Sequence, residues 1–397
     1  MSNEQSQPCL LTIGTCNRRA GIAVVAESFL KYHPTGRTFT CLVDRPDPSM
    51  PALHLPGEIF FADELALPGR RRFLFKYQAF ELCCALKPYA IRYVMERFRV
   101  SHLVYLDSDI LVTSAFWGDL HSFWTTHSVL LTPHLVRLPL DSSPEAQRSL
   151  MQHGSYNGGF LASRQSDDGV AFLDWWARAL ESLCTFDTMN NVYVDQRWLD
   201  LAAASSTTVG ILRDPGLNVA YWNLHERELR EDAAGKWSSN GTPLKFFHFS
   251  GFHRQQLTTK SDCRDAMAMR LSDIYGTMLD AAGEAKFNSF PYGWEKYNNQ
   301  EGIANSHRDL ILTNHPDLQH VSDPFSLPRM AQEWERMKEL AASLGPARVT
   351  DCFKDGATAL DMIRRLDQHP IIGLVWKLWR RWVNPSLGSG LPPHVHS

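Results

Sequence analysis

Residues 10–44 read LLTIGTCNRRAGIAVVAESFLKYHPTGRTFTCLVD, and this stretch decides the fold class. Leu10-Leu11-Thr12-Ile13 is a short apolar run that stops at Gly14, as a buried strand followed by a turn would. Ala20 to Tyr32 reads as a helix, and Phe39 to Val43 as a second strand ending at Asp44. Strand, helix and strand within about 35 residues predict a parallel βαβ unit. Sheets made of such units are covered on both faces and bind ligands at the carboxyl ends of their strands. The expected class is therefore α/β.

The same texture continues downstream. Tyr77 to Phe98 reads as helical, with Pro88 as a break. Leu103-Val104-Tyr105-Leu106 is a third apolar strand, and it runs into Asp107-Ser108-Asp109. Asn157 to Ala162 reads as a strand, Val170 to Leu183 as a helix with Trp175 and Trp176 in the core, Val194 to Ala204 as a helix, and Phe246 to Phe249 as a late strand. Beyond about Lys260 the pattern changes. Ser261 to Ala282 and Pro328 to Leu344 read as helices, and a loose tail opens at Ser386. This predicts an α/β domain over 1–260 and a mainly helical region over 261–397. Tyr292, Trp294 and Tyr297 read as packing residues, with a sugar-stacking platform as the alternative. Arg70-Arg71-Arg72 reads as a solvated loop, with phosphate contact as its alternative.

Hydrophobic residues make up 44% and charged residues 21% of the 397, which suffices for a large core. A net charge of −3 argues against nucleic acid as a global partner. The polar start MSNEQSQPC has no apolar core of a secretory leader, and no apolar run reaches the roughly 18 residues of a spanning helix. The eight cysteines show no zinc spacing, so free thiols in a reducing cytoplasm are expected. Ile371 to Val383, IIGLVWKLWRRWV, places Lys377, Arg380 and Arg381 on one side of a helical wheel and its tryptophans on the other. That pattern fits either peripheral membrane contact or a terminal helix docked on the protein.

The chemistry centres on Asp107-Ser108-Asp109. Carboxylates at i and i+2 beside a strand end can point the same way and share one hard divalent cation with phosphate oxygens. A bare Asp-x-Asp is more commonly a solvated turn. Here it is pressed between two apolar runs, where an unpaired charge is costly, and a metal is a fitting partner. His248 in the Phe246 to Phe249 strand is either a third ligand or a satisfied core histidine, with His253 as a competing candidate. Gly158 and Gly159 suit a tight bend or a close approach to a sugar. Asp195 and Gln196 suit an ordinary helix start or contacts to sugar hydroxyls.

Tyr105-Leu106-Asp107-Ser108-Asp109-Ile110-Leu111-Val112 resembles the metal motif of GT-A fold glycosyltransferases, especially the glycogenin and lipopolysaccharide-galactosyltransferase group. Four further segments resemble that group in the same order. These are Tyr156-Asn157-Gly158-Gly159-Phe160-Leu161, Val194-Asp195-Gln196, Tyr221-Trp222-Asn223 and Phe247-His248-Phe249-Ser250-Gly251. The stretch from Tyr105 to Phe252 also resembles a bacterial family of polysaccharide-type glycosyltransferases. The resemblance runs from about Leu10 to Phe252. It implies a Rossmann-like GT-A domain over 1–260 that uses Mn²⁺ or Mg²⁺ held by Asp107, Asp109 and His248. It also implies a UDP-sugar donor, a glycan, lipid-linked or protein acceptor, and retention at the anomeric carbon. Asp195, Gln196 and Asn157 would act at the donor sugar. Gly14, Thr15, Asp44, Lys87, Asp107, Ser108, Gly158, Gly159 and Gly251 would line the nucleotide-sugar donor. The lysine-proline-tryptophan ending of the group is absent after Gly251, which leaves Arg254 or Lys260 as substitutes. A sugar-nucleotide-forming nucleotidyltransferase is disfavoured, because Gly14 to Arg19 holds a single glycine. A non-catalytic carbohydrate- or lipid-surface binding protein is disfavoured by the intact Asp-x-Asp.

Overall fold

The computed structural model describes residues 7–47, 54–138, 143–251, 265–312 and 321–326. The chain divides into two compact units, Met1–Arg70 with Ala79–Trp294, and Arg71–Gln78 with Glu295–Ser397. The first unit opens with β1 (Cys9–Gly14), α1 (Arg19–Tyr32), β2 (Arg37–Leu42) and β3 (Glu58–Phe61). After α2 (Arg70–Lys76) come α3 (Ala79–Ala85), α4 (Lys87–Phe98), β4 (His102–Leu106), β5 (Ile110–Val112), α5 (Trp117–Trp124), β6 (Val129–Pro133), α6 (Pro144–His153) and β7 (Tyr156–Arg164). Then follow α7 (Asp167–Ser182), a short hairpin of β8 (Phe186–Asp187) and β9 (Val192–Tyr193), α8 (Gln196–Ser205) and β10 (Val209–Ile211). A small antiparallel sheet of β11 (Leu229–Glu231), β12 (Trp237–Ser239) and β13 (Thr242–Pro243) precedes β14 (Phe246–His248), α9 (Ala266–Ala281) and α10 (Glu284–Phe287).

The main sheet has the order β10-β6-β7-β4-β1-β2-β3. All neighbours run parallel except β7, which is antiparallel to both β4 and β6. The α/β expectation is met. All six β1 residues are buried, as in a strand covered on both faces. α1 buries Ile22, Val25, Ala26 and Phe29, the i, i+3, i+4, i+7 stripe of a helix on a sheet. The chain adds β2 and β3 on one side of β1 and β4 on the other, so the carboxyl ends of β1 and β4 flank a switch point, where such sheets open a crevice.

Three local readings change. The predicted helix Tyr77 to Phe98 is two helices, α3 and α4, with Pro88 in the first turn of α4, where a missing N–H is harmless. Arg70 to Arg72 begin α2 and are not a solvated loop. The Arg71 guanidinium lies 3.1 Å from Asp323 and stacks 4.5 Å over Phe325. Helix α9, expected in the C-terminal region, packs in the first unit. Its Leu271, Tyr275 and Leu279 share a core with Ala20 and Val24 of α1 and with Phe247 and Phe249.

The second unit is anchored from within. Arg308 of α11 (Asn305–Leu312) donates to the Phe75 and Tyr77 carbonyls at 2.5 and 2.9 Å. Tyr297 and His307 meet at 2.7 Å. Tyr292, Trp294 and Tyr297 are all buried, in keeping with packing roles. No described helix is long and apolar enough to cross a membrane. The expected helix Pro328 to Leu344, the amphipathic segment Ile371 to Val383, and His253, Arg254 and Lys260 lie outside the described residues.

Candidate functional site

Three segments far apart in sequence meet at the carboxyl end of β4. Asp107-Ser108-Asp109 form the turn from β4 into β5. Backbone bonds hold both ends of that turn. Asp107 N–H donates to the Gly159 carbonyl of β7 at 3.0 Å, and the Asp109 carbonyl accepts Phe249 N–H at 2.8 Å. β14 pairs with β5, His248 opposite Ile110. Strand register therefore delivers the imidazole to the carboxylates. His248 Nε2 lies 3.1 Å from Asp109 Oδ1 and 3.8 Å from Asp107 Oδ2. One ligand atom from each of the three residues lies within 4.8 Å of the others.

The two glycines of β7 are there because side chains approach them. A Cβ on Gly159 would sit 2.3 Å from His248 Cε1, and one on Gly158 would sit 2.7 Å from Asp195 Oδ2. His248 and Asp195 thus pack directly on the two glycines.

The tautomer of His248 follows from unambiguous donors. Gly159 N–H donates to Asn157 Oδ1 at 3.0 Å, which fixes that atom as oxygen. His248 Nδ1 lies 3.1 Å from the same oxygen and 3.2 Å from Asn218 Oδ1, so Nδ1 carries a proton. In neutral imidazole the Nε2 lone pair then points at the carboxylates. Asn157 is fixed in turn by Gln196. Gln196 Oε1 accepts Gly158 N–H at 2.8 Å and Asn157 Nδ2 at 3.1 Å, and its Nε2 donates to the His153 carbonyl at 2.6 Å. Gln196 thus holds the turn that holds the histidine.

These residues fit a divalent cation. Asp109 Oδ1 is buried and has no hydrogen-bond donor among the described residues. It faces the Nε2 lone pair at 3.1 Å. Two electron-rich atoms at that distance repel unless a proton or a metal lies between them. Burial pulls the His248 pKa down, but the negative charge of the adjacent Asp109, and then of Asp107, outweighs it and leaves it above the ordinary value. Burial pushes Asp109 up, but His248 and, more weakly, Arg18 bring it below the ordinary range. With the imidazole neutral, the two carboxylates and Nε2 could hold one divalent cation.

Lys87 opens α4 and is buried between carboxylates. Its Nζ donates to Asp195 Oδ2 and the Gly158 carbonyl, both at 2.9 Å, and lies 3.4 Å from Asp107 Oδ1. Burial would lower its pKa, yet Asp107 and Asp195 raise it well above normal, so it stays charged. Burial raises the Asp195 pKa, and Lys87 offsets that only in part. Tyr105 Oη donates to Asp107 Oδ1 at 2.5 Å. Together Lys87 and Tyr105 orient Asp107 as outer-sphere partners orient a metal ligand.

The other expected residues fall at the same end of the sheet with differing roles. Gly14 closes β1, and its carbonyl accepts Val43 N–H at 2.9 Å. Thr15 Oγ1 donates to Asn17 Oδ1 at 2.5 Å. Asp44 is fully buried, and its carboxylate accepts Cys16 N–H at 2.6 Å and Gly293 N–H at 2.7 Å. It ties together the loop after β1, the end of β2 and the segment before Trp294. The Ser108 carbonyl abuts Gly21 of α1. Gly251 has φ of +63°, a turn that favours glycine. Asn218 and His134 were not singled out from sequence. Asn218 Nδ2 donates to Asn157 Oδ1 at 3.1 Å and to Thr132 Oγ1 at 2.9 Å, and His134 is bracketed by the Gly154 carbonyl and Asn157. The one available signal was Tyr221-Trp222-Asn223, whose Asn223 amide donates to the His134 and Asn218 carbonyls.

No family model matches the chain. Over 178 residues it is 26% identical to the uncharacterized proteins YfnF and YfnD of Bacillus subtilis (strain 168). The match covers 43% of this chain and 57% and 54% of those proteins, so the chain spans little more than half their length. Among solved structures it is similar to the galactosyltransferase LgtC in complex with donor and acceptor sugar analogues. That likeness has 15% identity and a TM-score of 0.41, covering 72% of this chain and 98% of the other. A glycosyltransferase involved in glycosylating the major capsid of PBCV-1 is similar at 12% identity and a TM-score of 0.34, covering 62% and 95%.

Proposed function

We propose that the protein is a metal-dependent glycosyltransferase. It moves a hexose or N-acetylhexosamine from a UDP-sugar to a hydroxyl of a glycan, lipid-linked or protein acceptor, in polysaccharide assembly in a bacterial cytoplasm. The reading is carried by one observation. A strand-end Asp-x-Asp and a histidine of fixed tautomer converge beside the switch point of an α/β sheet. Around them lie the Asn157, Asp195 and Trp222 segments that resemble glycosyltransferase motifs.

Asp107, Asp109 and His248 would hold Mn²⁺ or Mg²⁺, which supplies charge neutralisation for the departing nucleoside diphosphate. The chain's own part is preorganisation. Asn157 and Asn218 hold the His248 ring, Gln196 holds Asn157, and Lys87 and Tyr105 hold Asp107. Asp195 is the acid best placed to serve as a general base, yet it is only 1% exposed and paired with Lys87. A carboxylate so placed is not presented to an acceptor hydroxyl, as an inverting mechanism requires. Retention, with a donor phosphate oxygen taking the acceptor's proton, fits better.

A thermal-shift screen of nucleotides with Mn²⁺ tests the donor. UDP or a UDP-sugar should raise Tm, because a ligand of the native state stabilises it by mass action. Stabilisation by GDP or CMP-sugars and none by UDP would reject the UDP assignment.

A further inference from the structure

We infer that Arg18 is the residue that grips the diphosphate of the donor, an inference that rests on the glycosyltransferase reading above. The loop after β1 carries two adjacent arginines with opposite fates. Arg19 is tied down. It donates to the Ala282 and His54 carbonyls at 2.6 and 2.7 Å, and its guanidinium packs 5.2 Å from the Phe287 ring centroid. Arg18 is exposed, and its guanidinium makes no hydrogen bond or ion pair with any described residue.

The fold places Arg18 within one helical turn of a backbone contact with the metal-binding turn. Arg18 is the cap residue of α1, and Gly21 lies three positions on, so the two share a helix face. Gly21 packs so closely on the turn that a Cβ there would stand 2.4 Å from the Ser108 carbonyl oxygen. Gly21, one helical turn on from Arg18, is therefore pressed against the Ser108 carbonyl of Asp107-Ser108-Asp109.

The chemistry calls for a cation at this place. A diphosphate bound to a divalent ion that already carries two carboxylates keeps uncompensated negative charge. Lys87 is not available to meet it, being buried and paired with Asp107 and Asp195. A guanidinium offers two parallel N–H donors to phosphate oxygens. Binding the leaving group there also disposes of the charge that develops as the glycosidic bond breaks.

The test is calorimetric titration of the full chain and of Arg18→Gln and Arg18→Lys with Mn²⁺ alone, then with pyrophosphate, UDP and uridine in saturating Mn²⁺. Arg18→Gln should weaken pyrophosphate and UDP roughly 10- to 100-fold, the scale of a charged hydrogen-bonded contact. Mn²⁺ and uridine should bind it as they bind the wild type. Arg18→Lys should recover part of the loss. Equal affinity of wild type and Arg18→Gln for pyrophosphate and UDP would overturn the inference while leaving the enzyme reading intact. So would a loss of Mn²⁺ binding in Arg18→Gln, which would mark a merely structural residue. A wild-type protein that binds Mn²⁺ but neither diphosphate would overturn the enzyme reading and this inference together.

Discussion

His248 is the residue on which the account turns, because a proton and a metal compete for its Nε2. Its pKa lies above the ordinary histidine value: burial alone would depress it, and Asp109 and Asp107 more than reverse that. The metal-free protein therefore gains stability from the protonated ring below the unfolded pKa, and loses it as pH rises through the higher folded value. Metal affinity runs the other way. It should fall as pH drops through that raised value, with about one proton released per Mn²⁺ bound. Calorimetry in buffers of different ionisation enthalpy counts that proton, and a pH-independent affinity across neutrality would contradict the assignment. Removing the outer partner should also tell. Asn157→Ala leaves Nδ1 without its main acceptor and should weaken Mn²⁺ binding by roughly 10- to 100-fold. Asp107 and Asp109 were legible in the sequence because each borders an apolar run, and His248 because it interrupts one. Asn218 and His134 were not, because their roles depend on strands that meet only in the fold. Gln196 was legible as a site residue but not as a strut.

At the scale of elements, α1 is more than a cover for the sheet. Gly21 replaced by alanine would ordinarily improve a helix by about 1 kcal/mol. Here the added methyl meets the Ser108 carbonyl at 2.4 Å, and overpacking against a backbone that cannot swing away costs about 1–3 kcal/mol. The clash wins, so Gly21→Ala should lower the urea midpoint and weaken Mn²⁺ binding together. A stabilised variant with normal Mn²⁺ affinity would show that the helix and the turn are not coupled. The βαβ opening was readable because its apolar runs are closely spaced around a helical stretch and end at Gly14 and Asp44. The reversal of β7 was not, since a buried strand's sequence carries no mark of its direction. β6 and β10 were missed because their apolar stretches are short. The α9 helix was readable as a helix, but its place in the first unit was not. Only contact with Ala20, Val24 and Phe249 reveals it.

At the scale of the whole molecule, the first unit presents the Asp107, Asp109 and His248 cluster at the carboxyl end of its main sheet. Its main sheet, α1, α4 and α9 each hold a different part of the Asp107, Asp109 and His248 cluster. The metal should thus act on global stability. Mn²⁺ at about 100 times its Kd should add roughly 2.7 kcal/mol, visible as a rise in Tm that EDTA reverses and that Asp109→Ala lacks. A Tm unmoved by Mn²⁺ or Mg²⁺ at millimolar levels would leave the cluster an ordinary ion pair. The most direct test of the central claim is release of UDP from a panel of UDP-hexoses and UDP-N-acetylhexosamines, followed with Mn²⁺, with EDTA, and with Asp109→Ala. Release by the wild type should require Mn²⁺, stop in EDTA and be absent in Asp109→Ala. Release that persists in EDTA or in Asp109→Ala would contradict that claim, as would no release from any UDP-sugar under saturating Mn²⁺.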